Sequence, residues 1–220
     1  MGRALTRGFF DRPVLDVARD LLGTVVEAAS EQGTVRVRLS EVEAYAGEED
    51  PGSHAFRGQT PRNAVMFGPP GHLYVYFTYG MHWCANLVCA RAGVARAVLL
   101  RGGEVVAGHE LARQRRCGGE DSRRGDGPRV VRDRDLARGP ARLTVAMGIN
   151  ARHNGADVTR PGSLVRVYAG TPVPDSLVRA GPRVGVSGAG AAAPWRLRID
   201  GEPSVSAFRP GVPRRRQSPA

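Results

Sequence analysis

From Thr34 to Ala44 apolar and polar residues alternate, with Val35, Val37 and Leu39 set against Arg36 and Arg38. A period of two predicts a strand over Thr34–Ala44. Val25–Ala29 reads as its partner, joined through the turn Ser30-Glu31-Gln32-Gly33. Helical spacing of Val14, Ala18, Leu21 and Leu22 predicts a helix over Arg12–Gly23, with Pro13 at its first position and Gly23 as its cap. Leu73–Thr78 is a β-branched and aromatic run between Gly68-Pro69-Pro70-Gly71 and a turn at Tyr79-Gly80, and Cys84–Cys89 reads as the returning strand. Ala97–Leu100 reads as a buried strand ending at Arg101, and Glu104–Arg116 as a helix. Gly139-Pro140 opens a helix through Met147, and Leu164–Ala169, Arg183–Ser187, Trp195–Asp200 and Ser204–Ala207 read as strands.

Candidate chemistry gathers where two of these runs end. Period two places Glu41, Glu43 and Tyr45 on one face and Val42 and Ala44 on the other. The carboxylates form either a solvated acidic face or part of a cavity, and the polar loop that follows favours the cavity. That loop, 47–71, holds His54, Arg57, Thr60, Arg62 and Asn63, with Met66 and Phe67 tethering it to the core. Six of the thirteen aromatic residues lie between Phe67 and Trp83. Parity assigns Leu73, Val75 and Phe77 to the core and turns Tyr76 the other way. Tyr74 shares the parity of Tyr76, as a pocket residue or as packing beside it, and Tyr79 is free to project from the turn. Asn86, isolated in an apolar run, either braces the hairpin or faces a ligand.

Composition narrows the class of partner. The 220 residues suit one domain over 1–209, with 117–135 as a flexible surface insertion and 210–220 as a disordered basic tail. The net charge of +11 is uneven, −1 over residues 1–110 and +12 over 111–220, which points to a polyanion. All the basic residues are Arg, since the chain has no Lys. Three cysteines at no zinc spacing read as free thiols in a reducing, cytoplasmic compartment, and neither a membrane span nor a signal peptide is present.

Together, EVEAY at 41–45, QTPRN at 59–63, LYVYFTYGMHWCAN at 73–86 and LLRGGE at 99–104 resemble the alkyladenine (3-methyladenine) DNA glycosylase family, as a bacterial-type, nucleoid-associated member. RPVLDVARDLLG at 12–23, GPARL at 139–143, RVGVSG at 183–188 and PWRLRIDG at 194–201 extend the match over most of the chain. The resemblance implies an α+β fold, a single mixed domain with a curved antiparallel β-sheet, surrounding helices and a protruding β-hairpin. It implies a monomeric, monofunctional base-excision repair enzyme with no metal or cofactor. Such an enzyme flips a damaged purine out of double-stranded DNA and hydrolyses its N-glycosidic bond. By position Glu43 falls on the residue that activates water. Tyr45, His54 and Tyr76 fall on those that hold the base, Asn86 on the one that tunes purine choice, and Arg101 on one that holds the nucleotide and its phosphate. Tyr79 falls on the wedge entering the duplex, with Thr60 and Met66 as further DNA contacts.

Without Lys, phosphate contacts are expected from Arg57, Arg62, Arg142 and Arg198, and no side-chain amine can attack C1′ as a backbone-nicking lyase requires. Glu41 is expected to be structural, paired with an Arg or a backbone N–H. Two alternatives remain: a non-catalytic binder of distorted or damaged duplex DNA, and a hydrolase of a small sugar-containing substrate.

Overall fold

The computed structural model describes residues 2–78, 80–118 and 131–212. Tyr79, residues 119–130 of the expected insertion and residues 213–220 of the expected tail lie outside them. Among the described residues, nine strands form one curled antiparallel sheet with a few short helices. β1 (Val25–Ser30) and β2 (Gly33–Tyr45) form the first hairpin. β3 (Leu73–Thr78) and β4 (His82–Cys89) form the second, which carries the aromatic run to one end of the sheet. β5 (Arg96–Ala107) lies between β4 and β2. β6 (Ala137–Arg138) and β7 (Val165–Tyr168) extend β5 and β1, while β8 (Val178–Gly181) pairs with β9 (Arg196–Ile199), which in turn pairs with the end of β2. Helix α1 is Arg7–Phe10. α2 (Val14–Leu21) packs its apolar stripe on β2, and α3 (His109–Cys117) and α4 (Pro140–Met147) cover β5 and each other.

One irregularity decides what the sheet can do. In β2 the core residues are Val35, Val37 and Leu39, then Val42 and Ala44, so the inward parity changes in mid-strand. The pairing with β5 explains it: Leu39 faces Gly103, Glu41 faces Gly102 and Val42 faces Leu100. Ser40 and Arg101 therefore have no partner across the ladder, and a bulge on each strand flips both. Unbroken alternation would drive Glu41 and Glu43 into the hydrocarbon core with Val35 and Val37. The paired bulges instead place both carboxylates and Arg101 together on the opposite face.

Several expectations need correcting. The helix expected over Arg12–Gly23 is shorter, because Pro13 is extended (φ −52°, ψ 137°) and Gly23 turns the chain at φ +82°. Residues 104–107 extend β5 instead of opening a helix, since Glu104 and Val105 pair with Arg38 and Val37, and α3 begins only after Gly108 at φ +76°. Arg183–Ser187 and Ser204–Ala207 are not strands. Their backbone N–H groups serve carboxylates in place of a ladder, Val184 donating to Glu43 and Ser206 to Glu41. Phe77, expected in the core, is 43% exposed; the hairpin runs beyond the core, and the ring packs on Trp83 at 4.7 Å between centroids. Two ends of the expected flexible insertion are ordered, with Cys117 closing α3 and Val131 and Asp133 accepting from Arg113.

Candidate active site

The cleft lies between the 47–71 loop and the outer face of the β3–β4 hairpin and is open to solvent at its mouth. Tyr45, His54, Tyr74, Tyr76, Met66 and Asn86 line it, with Gly52 and Ser53 at its side. Three of these arrive by strand parity: Tyr74 and Tyr76 from β3, and Asn86 opposite Tyr74 on β4. His54 comes from the loop, which Asn63 shapes by accepting from the Thr60 N–H and donating to the carbonyls of His54 and Gly58. Beneath it Ala55, Met66, Tyr74, Val88, Ala95 and Ala97 form a small apolar floor. Met66, 2% exposed, thus lines the cleft from below and does not stand on the outer surface.

The aromatic contacts are close. His54 and Tyr76 meet edge to face with centroids 4.4 Å apart, and Tyr74 and Tyr76 lie 5.4 Å apart. The Tyr74 hydroxyl and His54 Nδ1 share a hydrogen bond of 3.1 Å. Partial desolvation of the ring, with the Arg62 cation adding to it, lowers the His54 pKa and favours its neutral form. Burial pushes the Tyr74 phenol up to about 12, so it keeps its proton. Asn86 braces the hairpin, its amide donating to the Tyr74 carbonyl at 3.1 Å, and it also lines the cleft.

Behind Tyr45 lies Glu43, fully buried. The Tyr45 hydroxyl donates to its Oε2 at 2.9 Å, the Val184 N–H to Oε1 at 2.7 Å, and Arg101 Nη1 lies 3.4 Å from Oε1. Burial is the largest influence on this carboxyl and raises its pKa above the ordinary glutamate range; Glu41 adds to the rise, and Arg101, Val184 and Tyr45 oppose it. Glu41 is the hub of the network: Arg101 Nε (2.9 Å), Arg196 Nε (2.6 Å) and the Ser206 N–H (2.7 Å) and hydroxyl (3.0 Å) all donate to it. The expected pairing of Glu41 with an Arg and a backbone N–H is present. Arg101, 6% exposed, is engaged by Glu41, Glu43 and the Ser206 hydroxyl.

Other expected DNA contacts stand at the surface. Arg57, Thr60 and Arg142 are exposed, Arg62 reaches the Phe77 carbonyl at 3.1 Å with its guanidinium 5.8 Å from the Tyr76 ring, and Arg198 is half-buried beside Asp200. Met81, 67% exposed, stands in the turn just before β4, and Tyr79 is outside the described residues. Sequence reasoning missed Asp50, Arg183, Arg196 and Ser206. Asp50 carries a local signal in Asp50-Pro51-Gly52, but its partner Arg183 is 133 residues away. Among the described residues no group of three or more His, Cys, Asp or Glu is placed to hold a metal ion.

Aromatic walls that accept a flat heterocycle, backed by a buried carboxylate, are what a glycosylase acting on a nucleobase needs. The sequence model of the methylpurine-DNA glycosylase family matches residues 8–203, and the chain belongs to that family. It is a DNA glycosylase of DNA repair. Similar relatives include proteins of Streptomyces avermitilis (53% identical, covering 97% of this chain and 96% of the relative) and Leifsonia xyli subsp. xyli (54%, 89% and 88%). A third, from Frankia casuarinae, is 49% identical over 94% of this chain and 93% of its own. All three bear provisional 3-methyladenine DNA glycosylase names. Among the described residues no helix is long and apolar enough to cross a membrane.

Proposed function

We propose that the protein is a monofunctional glycosylase that, as a monomer, removes alkylated or deaminated purines from duplex DNA and leaves an abasic site. The observation that carries this reading is the Glu43 carboxylate, buried directly behind a tyrosine that lines an aromatic cleft. Cleavage of the bond between base and sugar builds positive charge on C1′; Glu43 stabilises that charge and takes the proton of the attacking water. A purine methylated at N3 or N7 already carries positive charge and leaves without a further proton, so for these lesions one carboxylate suffices, whereas a deaminated purine is neutral and must take up a proton as it leaves. Tyr45, His54 and Tyr76 hold the flipped base, and a cationic ring gains about 0.5–2 kcal/mol against an aromatic face. Asn86 tunes which purine edges fit. Flipping costs a few kcal/mol and is cheapest at a damaged pair, and the Tyr79 wedge offsets part of it. Arg57, Thr60, Arg62, Arg142 and Arg198 contact the backbone.

A panel of duplexes carrying 3-methyladenine, 7-methylguanine, hypoxanthine or ethenoadenine tests the reading. Free base and an abasic strand are expected from at least one, with no covalent adduct after borohydride reduction because the chain has no Lys. An adduct would refute the monofunctional assignment.

One observation favours a second reading. Glu43 has no exposed surface and its oxygens are engaged, as in a structural carboxylate of a non-catalytic binder of damaged duplexes. In that case damaged DNA is bound and no base is released from any duplex.

A further inference from the structure

We propose that Arg183, locked by Asp50, is a positioning residue that holds Tyr45 and the Val184 N–H against Glu43 for base release; the proposal rests on Glu43 being the catalytic base. Arg183 is 1% exposed. Its Nη1 and Nη2 donate to the two oxygens of Asp50 at 2.5 and 2.7 Å, a bidentate pair. Nη1 also donates to the Ala44 carbonyl at 3.0 Å, and Nη2 to the Gly190 carbonyl at 3.3 Å. The guanidinium is sandwiched, 4.6 Å from the centroid of Tyr45 and 5.0 Å from that of Trp195. It thus forms the rear wall of the tyrosine whose own contacts line the cleft, and the next residue in the chain, Val184, donates to Glu43 at 2.7 Å.

Apart from Trp195, the groups Arg183 touches belong to segments that build the site: the end of β2, the start of the 47–71 loop, and the 183–190 loop. The space is cut to the guanidinium, because a Cβ on Gly52 would sit 2.7 Å from Nη2 and one on Gly190 3.2 Å from it. Stability alone is a poor reason for the arrangement. A buried ion pair contributes little net stability over an apolar pair of the same shape, and among the described residues Arg183 Nε is buried without a hydrogen-bond partner. What the arrangement does secure is orientation. A planar fork pinned by a carboxylate and stacked between two rings has no freedom, and through it neither have Tyr45 nor the 183–184 peptide.

Two variants test this, Arg183→Lys, which keeps the charge opposite Asp50 but loses the fork and the stack, and the double variant Arg183→Met/Asp50→Leu, which replaces the pair with apolar residues. Each is read by thermal unfolding, damaged-duplex binding, and single-turnover base release across pH. Expected is a loss in release rate approaching 10²-fold, the size of a small misplacement of reacting groups, with binding kept within about threefold. The acid limb of the rate profile moves to higher pH, because Glu43 loses a donor that favours its charged form. A folded variant with wild-type rate and limb, or one whose rate loss is matched by its loss of binding, overturns the proposal. Should the double variant fail to unfold cooperatively, Arg183→Lys decides alone. Wild-type protein that releases no base overturns instead the reading of Glu43 beneath the proposal.

Discussion

Glu43 is held in two competing ways. Burial disfavours its charge, while Arg101, Val184 and Tyr45 favour it, and burial wins, so its pKa in the folded protein lies above that of the unfolded chain. A group raised on folding adds stability below its unfolded pKa and loses it as pH rises through the folded value. Glu43→Gln is therefore expected to be level with the wild type or less stable near pH 4, and to gain on it steadily toward pH 8. Thermal melts at the two pH values check this, and a Glu43→Gln variant that loses ground to the wild type as pH rises would contradict the burial argument. Base release is expected to rise with pH around a midpoint above the ordinary glutamate value of about 4.3. At this scale the sequence was legible where spacing is local: Glu41, Glu43, Tyr45, Tyr76 and Asn86 sit within short runs whose parity can be read. Arg183, Arg196 and Ser206 reach Asp50 and Glu41 across more than 130 residues, and no local pattern encodes such a pair.

The paired bulge at Ser40 and Arg101 is the element on which the site depends, and the sequence showed only its consequence, the carboxylates, and not the flip that exposes them to each other. Gly103 lets the two strands close just before it: a Cβ there would sit 2.3 Å from the Arg38 carbonyl oxygen and 2.5 Å from Val37. Gly103→Ala is expected to destabilise the fold by at least 1–3 kcal/mol, roughly the cost of overpacking a close contact. Gly181 on β8 is the control, since a Cβ there meets nothing within 4 Å, and Gly181→Ala should stay within about 0.5 kcal/mol. Urea titrations of both variants compare them directly; equal losses would remove the close-packing argument. Hairpins with clear turn signals, β1–β2 and β3–β4, were readable to within a few residues. Residues 183–187 and 204–207 were misread because a β-like composition does not reveal that the backbone donors are spent on buried carboxylates.

Over the whole molecule the charge is lopsided, near neutral through residue 110 and strongly basic beyond it. Arginines placed at the surface, Arg57, Arg62 and Arg142 among them, are expected to bind duplex DNA through phosphate, so each change to Ala should lower the slope of log affinity against log salt by about 0.9 without altering the ranking of lesions. A changed ranking with an unchanged slope would move that residue from the backbone to the base. In the account we propose, these surface arginines hold the duplex while the aromatic cleft takes a base in front of one buried carboxylate. The measurement that tests this most directly is single-turnover base release from one lesion duplex by wild-type protein and by Glu43→Gln, with binding of the same duplex measured alongside. The account predicts free base and abasic strand from the wild type, and from Glu43→Gln undiminished binding with no release. Release by Glu43→Gln at the wild-type rate would contradict it.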